Sequence, residues 1–267
     1  MCGGTNITID KTTMNKSSRP SHYSINKKQL YILQITHKFR FITGPLLSRH
    51  RGTSLSATNI ALTRLYKQGY LGRHHNNSYK LQNKPASYYL QNKAIRYLKD
   101  NTPLTDKALH SCYKDKHMNN KFIDFSLLIY ETFLQLKEQY PNHLFSTAND
   151  LRNDDHYPSP LPHLTFHAED EDGVIQDEYM LDIFTESLFF YVKKRIDQLI
   201  KHYDEETWPG GQYPTIIFVV SDDRLKAKTE KYFEEARDGV FADEKDVRLI
   251  PLTTKTLLNG KLRIKLV

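Results

Sequence analysis

From residue 26 onward the apolar positions fall at three-to-four spacing, and each run is framed by residues that start and stop helices. Asn26 precedes Leu30, Ile32, Leu33 and Ile35, so its amide caps a first helix that ends near the aromatic pair Phe39 and Phe41. Thr43 stands before Gly44-Pro45-Leu46-Leu47, a capping hydroxyl with proline in the first turn, and predicts a short second helix ending near His50. The segment Gly52 to Ser56 reads as a turn that delivers Ser56 as N-cap of a third helix over 57–68, with Gly69 as its left-handed stop. Ala61, Leu62 and Leu65 share one face of that helix, which turns Asn59, Thr63, Arg64 and Lys67 outward. Tyr70–Arg73 and Ala86–Leu90 have strand character, and the loop between them holds His74, His75, Asn76, Asn77, Lys80, Lys84 and Pro85. Asn92 is expected to cap a fourth helix, 93–99, before the Asn101-Thr102-Pro103 break.

Beyond the break, Phe122, Phe125, Ile129, Phe133, Leu136 and Tyr140 are spaced as one buried stripe of a long helix that Pro141 ends. Strand-like and helix-like runs then alternate: strands at 161–167, 179–184, 215–220, 247–252 and 262–266, helices at 188–203 and 224–237. Ile216 to Val220 is apolar throughout, as a strand covered on both faces must be. Residues 1–21 are Thr, Asn, Ser and Lys without apolar period and read as a flexible basic arm. The fold class expected is α+β. Residues 22–102 would form a winged helix-turn-helix and residues 103–267 an α/β domain led by the long helix.

Charge changes the picture. Residues 1–100 hold 17 Lys and Arg against 2 Asp and Glu, whereas residues 101–267 hold 21 against 29, so the overall +7 hides two halves of opposite sign. Positive charge gathered on one small module suits a polyanion, because each phosphate neutralised releases condensed counterions. No apolar run approaches the length of a membrane span, and no amphipathic segment suits a lipid surface, so no membrane partner is expected. Cys2 and Cys112 are far apart and sit in no Cys/His cluster, and the N-terminus lacks the pattern of a signal peptide; a cytoplasmic protein without a structural zinc is expected.

Three helices followed by a strand-loop-strand are the parts of a duplex reader, in which the third helix fits the major groove and the second braces it. Asn59 suits adenine and Arg64 guanine, with Thr63 beside them. Thr53, Ser54 and Ser56 at the helix start would meet phosphates, and Lys67, Arg73, Lys80 and Lys84 would hold the backbone. The competing use of the same fold is a protein-docking adapter whose charges only solvate it.

Further motifs carry a family likeness. Phe39-Arg40-Phe41-Ile42-Thr43, Leu62-x-x-Leu65 with Gly69-Tyr70-Leu71, Tyr89-Leu90 leading into Lys93-Ala94, Pro162-His163-Leu164, Met180-Leu181-Asp182-Ile183-Phe184, Tyr203 and Pro214 to Val220 together resemble the replication-relaxation family of plasmid and mobile-element proteins. The likeness covers most of residues 25–225. It implies a role in plasmid replication or DNA relaxation, and a distal domain similar to restriction-endonuclease-like folds. Such nucleases hold a divalent cation with a Pro-Asp acid and an Asp/Glu-x-Lys strand. Here Pro162-His163 stands where the first acid is expected and Asp182-Ile183-Phe184 lacks the lysine, so Asp182 alone is left and no catalytic residue or cofactor is assigned. An active magnesium-dependent nuclease is the enzymatic alternative, with Glu186, Lys193, Lys194 and Arg195 in reach of a phosphate unless they only face solvent. A winged-helix transcriptional regulator, whose distal domain senses a ligand or self-associates, is the third.

His163, His167, Glu169 and Glu171 invite a zinc site, but four residues along a strand advance ~13 Å, too far to converge on one metal. Asp222-Asp223 after the apolar strand is expected to cap the following helix. No phosphate-cradling glycine loop or nucleophile elbow is present. The expected partners are double-stranded DNA and a protein, or a second copy, at the distal domain.

Overall fold

Helix α1 (Lys27–Phe39) begins with a reciprocal pair of bonds: the Gln29 N–H donates to Asn26 Oδ1 at 2.9 Å, and the Asn26 N–H donates to Gln29 Oε1 at 3.1 Å. This computed structural model describes residues 25–75, 79, 81–169, 175–185, 188–205, 208–209, 212–240 and 247–258. The basic arm, Lys80 with Asn76 and Asn77, Glu171, Glu186 and the run at 262–266 lie outside the described residues.

After α1 come β1 (Ile42–Thr43) and α2 (Gly44–Arg51), which is capped by Thr43 and ended by Gly52. Helix α3 (Leu55–Lys67) starts two residues earlier than the sequence pattern suggests. Ser54, not Ser56, is the N-cap: its backbone is extended and its Oγ accepts from the Ala57 N–H at 3.2 Å, which leaves Ser56 inside the first turn. Gly69, with φ of +75°, turns the chain out of α3 in a conformation a side chain would resist. Strands β2 (Leu71–His74) and β3 (Ser87–Leu90) then pair antiparallel, and β1 adds to β3, giving the order β1-β3-β2. This is the architecture of a winged helix, with β2 and β3 flanking the wing. Strand β1 escapes a sequence reading, because two residues are too few to show a period.

Helix α4 (Asn92–Asn101) opens from Gln91, which makes no side-chain cap bond, so Asn92 is the first helical residue and not the cap. The chain past Pro103 does not run straight to the long helix. It forms a short α5 (Asp106–Leu109) and a 3-10 stretch (His110–His117) that together bury Leu109, Cys112 and Asp115. The long helix α6 (Asn120–Gln139) has more than one buried stripe. Ile123, Ser126, Tyr130 and Thr132 to Leu136 are buried while Phe122, Phe125 and Ile129 are half-buried, because the helix is covered from two sides. Tyr130 stacks on Phe39 of α1, with ring centres 4.0 Å apart, and Phe133 meets Phe145 of the distal sheet at 5.4 Å.

That sheet has the order β4-β5-β6-β7-β8, from β4 (Leu144–Thr147), β5 (Leu164–Glu169), β6 (Ile175–Phe184), β7 (Thr215–Val220) and β8 (Leu249–Thr253). The β4-β5 and β5-β6 pairs are antiparallel, β6-β7 and β7-β8 parallel, the latter two needing the crossover helices α7 (Phe189–Glu205) and α8 (Asp223–Val240). A short α9 (Thr254–Leu258) follows β8. Strand β7 is buried on both faces as expected. Ile217 and Val219 join the core that α6 shares with the winged helix, while Ile216, Phe218 and Val220 join a second core beneath α7 and α8. Asp222 Oδ1 accepts from the Leu225 N–H at 2.8 Å, the capping role expected of it. One apolar cluster therefore runs unbroken from Ile32 and Leu62 of the winged helix through Tyr130 to Leu181 of the distal sheet.

Candidate nucleic-acid interface

Helix α3 is anchored by Thr58, Leu62 and Leu65, all buried, with Ala61 half-buried beside them. Its opposite face is open. Ser56, Asn59, Ile60, Thr63, Arg64 and Lys67 are all exposed and lie together along the open side of the helix. The expected outward set of Asn59, Thr63, Arg64 and Lys67 is thus brought together on one surface, with Ser56 and Ile60 beside it.

Individual placements refine this. Asn59 lies over the backbone of α2: a Cβ on Gly44 would come within 2.2 Å of Asn59 Oδ1, so the amide occupies the space that glycine leaves. Thr53 Oγ1 pairs with Thr58 Oγ1 at 3.0 Å and Ser54 is engaged in capping, so both hydroxyls have partners within the chain. The Arg73 guanidinium sits 4.9 Å over the Tyr66 ring, placed next to the last turn of α3. Lys84 Nζ, by contrast, contacts Asp124 of α6 at 2.9 Å, so this cation is held toward the long helix. The outward residues that sequence spacing passes over are apolar: Leu55, Ile60 and Tyr66 are exposed, Ile60 by 61%. Ile60 has a signal in the sequence, since it falls four residues after Ser56 and four before Arg64.

The excess positive charge of the first hundred residues divides into two kinds. Part of it is neutralised at home: Lys38 pairs with Asp150 at 3.0 Å, Lys99 with Asp106 at 2.7 Å, Arg40 with Asp115, and Arg49 with Glu131 and Glu138. Glu138 hydrogen bonding, joined by Glu131, raises the Arg49 guanidinium further above its ordinary range, and Glu138 is lowered in turn. Arg64 and Lys67 form no ion pair with described residues. Both are exposed, as is Arg73 beside them.

The junction between α2 and α6 is polar at its rim and aromatic beneath. His50 Nδ1 lies 2.8 Å from the Tyr130 hydroxyl and its Nε2 3.4 Å from the Tyr31 hydroxyl. Burial, aided by the positive charges of Lys137 and Lys38, lowers the His50 imidazole to about 4, so the ring is neutral at pH 7.

At the carboxyl end of β6, Asp182 is buried and spoken for. Arg195 Nε donates to Asp182 Oδ2 at 2.7 Å, the His163 N–H donates to Oδ1 at 3.3 Å, and the His163 ring Nδ1 stands 3.1 Å from the same oxygen. Burial pushes the carboxyl up, but the Arg195 charge and the His163 contacts overcome it and hold the group at about 2. Arg195 does not face solvent beside Lys193 and Lys194; it points inward, and also donates to the Pro160 carbonyl at 2.6 Å. His167 reaches Glu169 at 3.3 Å, away from His163, and no cluster of metal-ligating side chains occurs among the described residues. A cleft of about 720 Å³ opens nearby between α6 and the sheet, lined by Phe122, Phe125, Leu128, His163, Phe184 and Tyr191. Among the described residues no helix is long and apolar enough to cross a membrane.

No family model matches the chain, and no curated protein is found similar to it. Among solved structures, a cysteine-to-serine mutant of MarR from Escherichia coli is similar at 18% identity and a TM-score of 0.27, over 41% of this chain and 79% of that one. A glutamate-to-alanine mutant of Lactococcus lactis ZitR is similar at 18% identity and a TM-score of 0.26, over 45% of this chain and 78% of that one. The likeness to the replication-relaxation family has no counterpart among these matches.

Proposed function

We propose that this chain binds double-stranded DNA by laying α3 in the major groove, with the wing beside it on the phosphate backbone, as a non-enzymatic protein of replication or maintenance of a plasmid or mobile element. The observation that carries the proposal is the exposed stripe of Ser56, Thr63, Arg64 and Lys67, whose two cations pair with no described acid, whereas Lys38, Arg40, Arg49 and Lys99 are taken up by the acids of residues 101–150. A helix ~10–12 Å across fits a major groove ~12 Å wide, and a helix-borne cation facing outward meets phosphate or a guanine edge there. The division into a reader at 22–102 and a distal domain at 103–267, the restriction-endonuclease-like character of that domain and a cytoplasmic setting belong to the same proposal. A mixed sheet with helices on both faces is consistent with such a domain, and an Asp182 occupied by Arg195 supports its lack of catalysis. The distal domain is then free to hold a protein partner or a second copy. Supercoiled plasmid incubated with the protein and Mg²⁺ should stay intact.

The test of binding is its salt dependence. Each phosphate contact contributes about 0.9 to the slope of log affinity against log salt. Replacing Lys67 by alanine should lower that slope by about one and weaken binding across all sequences, and replacing Arg64 as well should weaken it further and relax the preference for one guanine. An affinity for duplex oligonucleotides that does not change with salt, or a double variant that binds like the parent, sinks the proposal.

A second reading, a transcriptional regulator, is favoured by the position of α6. Its first turns line the 720 Å³ cleft, and its later turns hold α2 through Arg49 and His50. A small molecule seated in that cleft would act on the helix that braces the reader. Binding at a promoter, with affinity altered by that molecule, distinguishes the regulator from a replication protein.

A further inference from the structure

We infer that Ile60 reads the methyl group of a thymine, so that the preferred duplex carries an A·T pair with its thymine under the middle of α3. The inference rests on the proposed groove binding by α3 and adds to it the base class recognised. Ile60 is 61% exposed, more than Leu55 and Tyr66, the other large apolar residues that α3 turns outward, and it is flanked one turn on either side by Ser56 and Arg64. A β-branched apolar side chain in that position gains nothing from water or from phosphate oxygens. Within the major groove the apolar feature that base pairs offer is the thymine C5 methyl, and apolar side chains read it by contact. The surrounding charge selects this occupant over an apolar protein surface: Arg64 and Lys67 lie on the same face, unpaired with described residues, and would be desolvated at cost against a neutral partner.

The spacing fixes more. Ile60 and Arg64 are four residues apart, about 6 Å along the helix axis, and base pairs stack every ~3.4 Å. The thymine under Ile60 should therefore lie within about two base pairs of the guanine that Arg64 meets.

The experiment uses the full chain and sites selected from a random duplex pool. Thymines in the selected site are then exchanged one at a time for deoxyuridine, which removes the methyl and nothing else. The parent protein should lose about fourfold in affinity at one thymine, the worth of one buried methyl-sized group, and that thymine should lie within two pairs of a preferred guanine. Ile60→Ala, at an exposed position that leaves folding intact, should bind thymine and deoxyuridine sites equally, and Ile60→Val should keep most of the discrimination. Deoxyuridine tolerated at every position, or penalised as strongly in Ile60→Ala, overturns the inference while salt-dependent duplex binding persists. Loss of duplex binding altogether in the parent would instead overturn the groove-binding proposal beneath it.

Discussion

Replacing His50 by glutamine should flatten the dependence of folding stability on pH between 4 and 6.5. The imidazole is half-buried at the α2–α6 junction and lowered to about 4, against an ordinary value of 6.5. In that interval the unfolded chain binds a proton at this site and the folded chain does not, so stability rises with pH and is lost as pH falls. For a shift of that size the single-site linkage between pH 7 and pH 5 comes to about 2 kcal/mol, somewhat less for the part of the ring that stays wet. His37 and His143 are also lowered by burial and act in the same direction. Asp115, raised by burial to about 6 against the opposing pull of Arg40, acts oppositely: the folded chain holds its proton more tightly there, so its contribution falls as pH rises through that range. All three are common to parent and variant, so the difference between the two isolates His50. Urea unfolding at pH 7 and at pH 5 reads it directly: the parent should lose more stability than His50→Gln across that step by about 2 kcal/mol. Equal losses in both proteins would refute the argument, since they would mean the ring titrates as freely in the folded chain as in water.

Arg195→Met should leave Asp182 as a buried carboxylate supported only by His163, and cost about 3–5 kcal/mol of stability; Asp182→Asn in that background should restore part of it, as denaturant midpoints would record. Gly44→Ala should fold nearly as well as the parent, because the clashing atom is the far end of the Asn59 side chain, yet change sequence preference in site selection by displacing that amide. Ser54→Ala should cost about 1 kcal/mol in the same unfolding assay, whereas Ser56→Ala should cost little, which separates the true cap from the expected one.

What can be read in the sequence is whatever rests on neighbours in the chain. Asn26 with Gln29, Thr43 with Pro45, and the glycines at 52 and 69 set the three helices and their turns within a residue or two. Ser54 is hidden as a cap because two serines within three residues both satisfy the pattern, and only the folded backbone shows that the one at 54 is extended. Helix α6 misleads in a different way. Its aromatics suggest a single stripe, but a helix packed between two layers hides its polar Ser126 and Thr132 as well, their hydroxyls bonded to carbonyls one turn back. The charges are the least legible. Lys84, Arg40 and Arg49 resemble Arg64 and Lys67 in sequence, and only the folded chain brings Asp124, Asp115 and the two glutamates of α6 against the first group. The inward turn of Arg195 is invisible for the same reason, its partner lying on a strand rather than on its own helix.

The apolar continuity through Phe39 and Tyr130 bears on how this molecule could be divided. Cutting after residue 102 would strip α6 from Phe39 and uncover Phe41, which is sealed by Ile123 and its neighbours. A fragment of that kind would present bare aromatic rings to solvent and should clump rather than bind cleanly. Winged helix and sheet are thus bound by a common fate: whatever loosens the helix between them melts both, and neither could be traded onto another protein without carrying that helix along.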